Sequence, residues 1–179
     1  LRTIIENNLL IKLRDLIDYS IKIYLDQGVK QENNEVTKDL MKFFRERMKN
    51  ILKDRKIRTD IIEASISSHL SDNFLELYKK TVIMNKFISK DLGKNALSTY
   101  KRASNILDQE KLVSKKGPDA VLFKHEEEKE LFERINTIRK AFTIKQEKKN
   151  YEDHLKLLSE TKLSTDKFFD NVKVNDENQ

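Results

Sequence analysis

Apolar residues in this chain recur at intervals of three and four, and nowhere do they alternate for the length of a strand. The pattern therefore predicts helices throughout. Leu1 to Asn8 reads as the end of one helix. Ile11 to Gln27 reads as the next, with Leu13, Leu16, Ile17, Ile21 and Tyr24 on one face and Gly28 as its stop. Thr37 or Asp39 caps a helix to about Asp54, whose apolar arc holds Leu40, Phe43, Phe44, Met48, Ile51 and Leu52. Arg47 falls inside that arc, where a cation must snorkel or find an acidic partner. Thr59 or Asp60 opens a helix to about Leu70, and Asp60 with Glu63 has capping-box spacing. Asn73 to Ser89 is apolar nearly all round, the signature of a central helix. Asp91 to Asp108 follows, with Leu92, Ala96, Tyr100, Ala103 and Leu107 as its expected buried stripe. Glu126 to Lys148, a helix opened by Asn150 and Asp153, and a last helix around Phe168 and Phe169 complete the series. The fold class is all-α, an antiparallel helical bundle with short connections.

Two stretches interrupt this pattern. Residues 29–36 are a polar linker and the expected domain boundary, so that 1–28 packs against a neighbour outside the chain. Residues 109–122 hold Lys111, Lys115, Lys116, Gly117 and the only Pro, Pro118, and read as the longest loop. That loop suits a phosphate backbone and suits equally a solvated connector.

Charge adds what periodicity cannot. The net charge is +6, and it is segregated. Residues 42–58 carry 8 basic and 2 acidic side chains, residues 79–116 carry 10 and 3, and the rest of the chain carries 18 and 25. Two basic blocks that converge would form a footprint for a polyanion, while dispersed lysines would only solvate the surface. No apolar run approaches the roughly 20 residues that span a bilayer. The first residues lack a signal-peptide core and begin at Leu1 rather than Met, so the chain reads as a cytoplasmic piece of something longer.

The second block contains the helix on which the functional reading rests. Opposite the expected stripe, Lys94, Ser98, Lys101, Arg102 and Asn105 share one side. Two or three cations with a hydroxyl and a carboxamide suit phosphates and base edges; an ordinary solvated face has the same composition. In the first block, Arg45, Lys49, Lys53 and Lys56 point away from the apolar arc and stay available.

Catalytic chemistry finds no foothold. The chain has no Cys, and His69, His125 and His154 are isolated, with the Glu126–Glu128 run beside His125 explained as a helix N-terminus. No glycine-rich phosphate loop, H-E-x-x-H or G-x-S-x-G is present. The motifs describe a binding module with no catalytic residue and no metal site.

Four stretches together carry a resemblance. They are Leu1-Arg2-Thr3-Ile4-Ile5-Glu6-Asn7-Asn8-Leu9 with Leu13-Arg14-Asp15-Leu16-Ile17; Phe43-Phe44-Arg45-Glu46-Arg47-Met48 with Asp60-Ile61-Ile62; Tyr100-Lys101-Arg102-Ala103-Ser104-Asn105-Ile106-Leu107; and Asp166 to Asn175. In this order the chain resembles the C-terminal part of the β subunit of bacterial tetrameric glycyl-tRNA synthetase. Ser164 and Lys173 depart from the family's usual Pro and Met.

The resemblance implies that 1–28 ends an HD-like domain and that 37–179 is a helical anticodon-binding domain of the DALR type. The implied function is recognition of the tRNA(Gly) anticodon stem-loop, in support of glycine–tRNA ligation by an α2β2 enzyme. The implied partners are that stem-loop, the α subunit and the remainder of the β subunit, with no membrane. No cofactor is expected in this fragment; ATP and Mg belong to other parts of the enzyme. Lys94, Lys101 and the basic face of 42–56, with Arg45, Lys49, Lys53 and Lys56, are the expected phosphate contacts; Ser98 is a further expected tRNA-binding residue; Arg102 and Asn105 are the expected base contacts, the acceptor for a cytosine being Asn105 or a backbone carbonyl. The alternatives are a structural helical module that docks proteins, or a non-specific RNA binder.

Overall fold

The structure, a computed structural model, describes residues 1–29, 35–68, 72–110, 117–146 and 150–173. Among them are nine α-helices and no strand: α1 (Arg2–Glu6), α2 (Leu13–Asp26), α3 (Val36–Asp54), α4 (Thr59–Ser68), α5 (Phe74–Ile88), α6 (Asp91–Glu110), α7 (Glu126–Gln146), α8 (Tyr151–Ser159) and α9 (Lys162–Asn171). A 3-10 turn at Ala120–Leu122 lies within the expected loop, whose residues 111–116 are outside the described set, as is His69. No helix among the described residues is long and apolar enough to cross a membrane.

The chain forms two compact units, Leu1–Asn85 and Lys86–Gln179. The division falls inside α5 rather than at the linker expected over 29–36, of which residues 30–34 are outside the described set. On either side of that linker, α2 and α3 are in contact, and the Thr37 hydroxyl donates to the Asp18 carboxylate at 2.8 Å.

In the first unit the core is built from Met41, Met48 and Leu52 of α3, Ile61, Ile62 and Ile66 of α4, and Phe74, Leu75 and Leu77 of α5. Thr81 joins them fully buried because its hydroxyl donates to the Leu77 carbonyl at 2.8 Å, which satisfies the one polar atom it brings. Leu13 and Ile17 of α2 are buried as well. The Leu13 amide donates to the Asp72 carbonyl at 3.2 Å and Arg14 pairs with the Asp72 carboxylate at 2.9 Å. Segment 1–28 therefore packs within this unit, contrary to the expectation that its neighbour lies outside. Leu16, Tyr19 and Ile23 remain exposed on the other side of α2.

Helix ends follow local chemistry. Gly28, at φ +80, closes α2 as the sequence predicts, with the Val29 amide returning to the Tyr24 carbonyl at 3.1 Å. The end of α3 uses the same geometry without glycine: Lys56 sits at φ +57, and the Ile57 amide reaches the Leu52 carbonyl at 3.2 Å. Arg47 is exposed, not inside the apolar arc. The arc is narrower than its composition implies, because α3 turns Met41, Phe44, Met48, Ile51 and Leu52 inward and leaves Phe43 outside.

The second unit packs α7 against α9 and α8, and α6 against α8 and α9. Most of its buried side chains are small. Ser159, Ser164 and Thr165 are buried, each hydroxyl bonded to a carbonyl one turn back, and Ile138 supplies the main apolar anchor. The His154 ring stacks on Phe142 with centroids 4.7 Å apart, a packing role.

Candidate nucleic-acid interface

α6 is positioned first by its entry. Gly93 lies so close to the last turn of α5 that a Cβ would fall 2.1 Å from the Phe87 carbonyl oxygen. From there the inner line runs Gly93, Ala96, Thr99, Ala103 and Ile106. The expected stripe of Leu92, Ala96, Tyr100, Ala103 and Leu107 is only half correct: Leu92, Tyr100 and Leu107 are 50%, 68% and 60% exposed. The physical reason is close packing. Small residues at 93, 96 and 103 let α6 approach α8 and α9, and a ring at position 100 has no room on that line.

The polar side of α6 comes out as the sequence arranges it, with one exception. Lys94, Ser98, Lys101 and Asn105 are all exposed along one strip. Ser98, Lys101 and Asn105 have no partner among the described residues, and Lys94 bonds only its helical neighbour Asp91 at 3.1 Å. Arg102 is the exception. Its guanidinium donates to Asp170 at 2.9 Å, lies 4.0 Å from Asp166, and covers the Phe169 ring at 4.9 Å. It ties α6 to α9 instead of standing open.

Arg45, Lys49, Lys53 and Lys56 belong to the first unit. Lys53 and Lys56 are exposed and have no partner among the described residues. Arg45 is half-buried. Lys49 is held between Glu46 at 3.1 Å and Glu63 at 3.4 Å, bridging α3 to α4. The hydrogen bond to Glu46 raises its pKa above the ordinary lysine value, and Glu63 adds to this against some desolvation. Arg55 lies over the Tyr78 ring at 5.9 Å.

Two residues were missed by sequence reasoning. Tyr100 is an exposed aromatic on the basic helix, and Asp170 is the carboxylate that engages Arg102. Tyr100 was hidden because apolar periodicity assigns it inward. Asp170 was hidden because its partner is 68 residues away. Among the described residues no group of three or more His, Asp or Glu could hold a metal ion.

The family described as "Glycyl-tRNA synthetase beta subunit" matches residues 1–67, and the one described as "DALR anticodon binding domain" matches residues 96–179. The glycine–tRNA ligase beta subunit of Rickettsia felis is 38% identical over 177 residues, which is 98% of this chain and 24% of that protein. The chain belongs to the glycyl-tRNA synthetase β-subunit family. Family members from Rickettsia africae and Rickettsia prowazekii are 37% and 35% identical over 176 residues, each match covering 98% of this chain and 25% of the relative. The chain spans about a quarter of the length of these curated relatives. Within it, the β-subunit match covers α1 to α3 and nearly all of α4, and the DALR match begins at Ala96, so that Ser98, Lys101, Arg102 and Asn105 all lie inside the segment matched by that second family.

Proposed function

We propose that this chain is the tRNA-binding portion of a glycine–tRNA ligase β subunit and that it holds the anticodon stem-loop of tRNA(Gly). The observation that carries this reading is the outer strip of α6. Ser98, Lys101 and Asn105 fall within the matched anticodon-binding segment and have no protein partner among the described residues. Within the second unit Lys94 and Lys101 take phosphates, and Ser98 supplies a neutral backbone contact; Lys53 and Lys56 are exposed cations of the first unit. Asn105 reads a base, because a carboxamide both donates and accepts. Arg102 reaches RNA only by leaving Asp170, and Lys49 only by leaving Glu46 and Glu63. Adenylation and glycyl transfer, with ATP and Mg, belong to other parts of an α2β2 enzyme acting in the cytoplasm.

The outward stripe of α2 supports a second, compatible role for the first unit. Leu16, Tyr19 and Ile23 are spaced as one exposed helical face, and the relatives carry most of their length outside the matched region. That face suits contact with the remainder of the β subunit or with the α subunit.

The test is binding of the chain to a tRNA(Gly) anticodon stem-loop, beside one with both anticodon cytosines replaced, at two salt concentrations. A preference for the native loop that survives added salt is the expected result. Equal binding to both that collapses with salt would reduce the domain to a basic surface and sink the claim of base readout.

A further inference from the structure

Among the described residues Tyr100 makes no hydrogen bond and no ring contact. The ring is 68% exposed on a helix whose inner line is made of small residues, and it lies beside Leu97 and Leu107, themselves 36% and 60% exposed. Leu97, Tyr100, Ser104 and Leu107 follow i, i+3, i+7, i+10 and form a second strip along the outside of α6. Lys94, Ser98, Lys101 and Asn105 form the adjacent strip. From Leu92 to Leu107 the helix carries no carboxylate at all. An aromatic and apolar strip flanked on one side by the unpaired Lys101 and by Lys94, whose one ion pair is with Asp91 at the helix start, is complementary to a polyanion that has flat apolar faces. An acidic protein could meet the same cations, but an exposed ring beside Lys101 within the segment that matches an anticodon-binding family favours a nucleic acid.

We infer that Tyr100 is a stacking platform for an unpaired base of the bound RNA, with Leu97 and Leu107 as its apolar shoulders and Lys101 on the phosphate beside that base. The inference rests on the RNA-binding reading above and adds to it a residue and a mode of contact. Stacking on a tyrosine ring recognises a base that is already out of a duplex, because only a splayed base offers its face. The platform therefore selects loop over stem whatever the loop's sequence, and Asn105, one turn further along, is left to discriminate among bases.

The chain contains no Trp, which makes the test direct. Tyr100→Trp in the full chain places a single indole on the platform. Titration with the anticodon stem-loop should quench its emission, and titration with a blunt duplex of the same stem should not. Tyr100→Ala should weaken stem-loop binding about tenfold, Tyr100→Phe should bind as the parent does, and both should keep the parent's helical circular dichroism because the ring is exposed. If Tyr100→Ala binds within twofold of the parent while Lys101→Ala weakens binding, the stacking platform is overturned and the RNA-binding reading stands. If the parent binds neither loop nor duplex, both fall together. An indole emission that shifts with protein concentration alone would mean that a second copy covers the strip, and would overturn the platform as well.

Discussion

Arg102 and Asp170 join α6 to α9 through a 2.9 Å hydrogen bond, and the same guanidinium rests on the Phe169 ring. A side chain that the sequence offers as a base reader is thus committed within the protein. The pair is partly exposed, so the tie is modest, of order 0.2–1 kcal/mol for the ion pair with a similar amount from the ring. Asp170→Asn should release the guanidinium: the melting temperature falls slightly and stem-loop affinity rises, because a carboxylate beside the basic helix is removed. Arg102→Ala should cost about 1 kcal/mol of stability, measured by urea unfolding, with a smaller change in RNA affinity. Loss of affinity with no loss of stability would return Arg102 to the role of base contact.

Most of the architecture is legible in the sequence, and the reason is local. α2, α3, α4 and α7 begin or end within two residues of the expected positions because caps, Gly28 and apolar spacing act within a few residues. What was illegible depends on partners distant in the chain. The inner face of α6 is set by how closely α8 and α9 approach, and so the line through Ala96 and Ala103 wins over the line through the larger Tyr100 and Leu107. Likewise the engagement of Lys49 with Glu63 and of Arg102 with Asp170 follows from tertiary packing, and spacing along the chain gives no sign of it. The candidate site is accordingly legible in part: Lys94, Ser98, Lys101, Arg102 and Asn105 are all exposed as the helix face predicts, but the engagement of Arg102 by Asp170 is not readable from spacing.

Lys101 and Lys49 should separate in a salt titration. Lys101 is exposed without a partner among the described residues, whereas Lys49 already neutralises two carboxylates. Lys101→Ala should lower the slope of log affinity against log salt by about 0.7–0.9, one phosphate contact, and weaken all RNAs alike. Lys49→Ala should leave the slope unchanged and act on the first unit, by unlinking α3 from α4. The raised pKa of Lys49 fixes the sign: its contribution is complete below the ordinary lysine pKa and is lost as pH rises through the raised folded value.

Gly93→Ala opposes two effects of known size. Alanine gains about 1 kcal/mol of helix propensity over glycine. Against it, the new Cβ would lie 2.1 Å from the Phe87 carbonyl oxygen and 2.7 Å from the Ile88 Cα, and backbone atoms cannot rotate aside. Overpacking of this kind costs about 1–3 kcal/mol or more, so the clash wins. Thermal unfolding should show a lower midpoint. RNA binding measured well below that midpoint should also drop, because α6 is displaced at its root. A raised midpoint would mean that α5 and α6 are not held this closely.

The start of α7 makes the last case, and here pH is the probe. Glu128 accepts from the backbone amides of His125 and Lys124, both at 2.7 Å, and so satisfies two donors at a helix N-terminus that would otherwise go without a partner in the helix. The bond from His125, followed by that from Lys124, holds the Glu128 carboxyl below the usual carboxylate range. A lowered folded pKa contributes stability above the unfolded pKa and loses it as pH falls through the folded value. Glu128→Gln keeps the shape and removes the charge. It should be less stable than the parent at neutral pH, and the gap should close as the solution is acidified and the parent's carboxylate takes up its proton. Melting temperatures of the two proteins across that acid range decide the matter: curves that stay parallel to the lowest pH would show that the amide contacts do not depend on the charge.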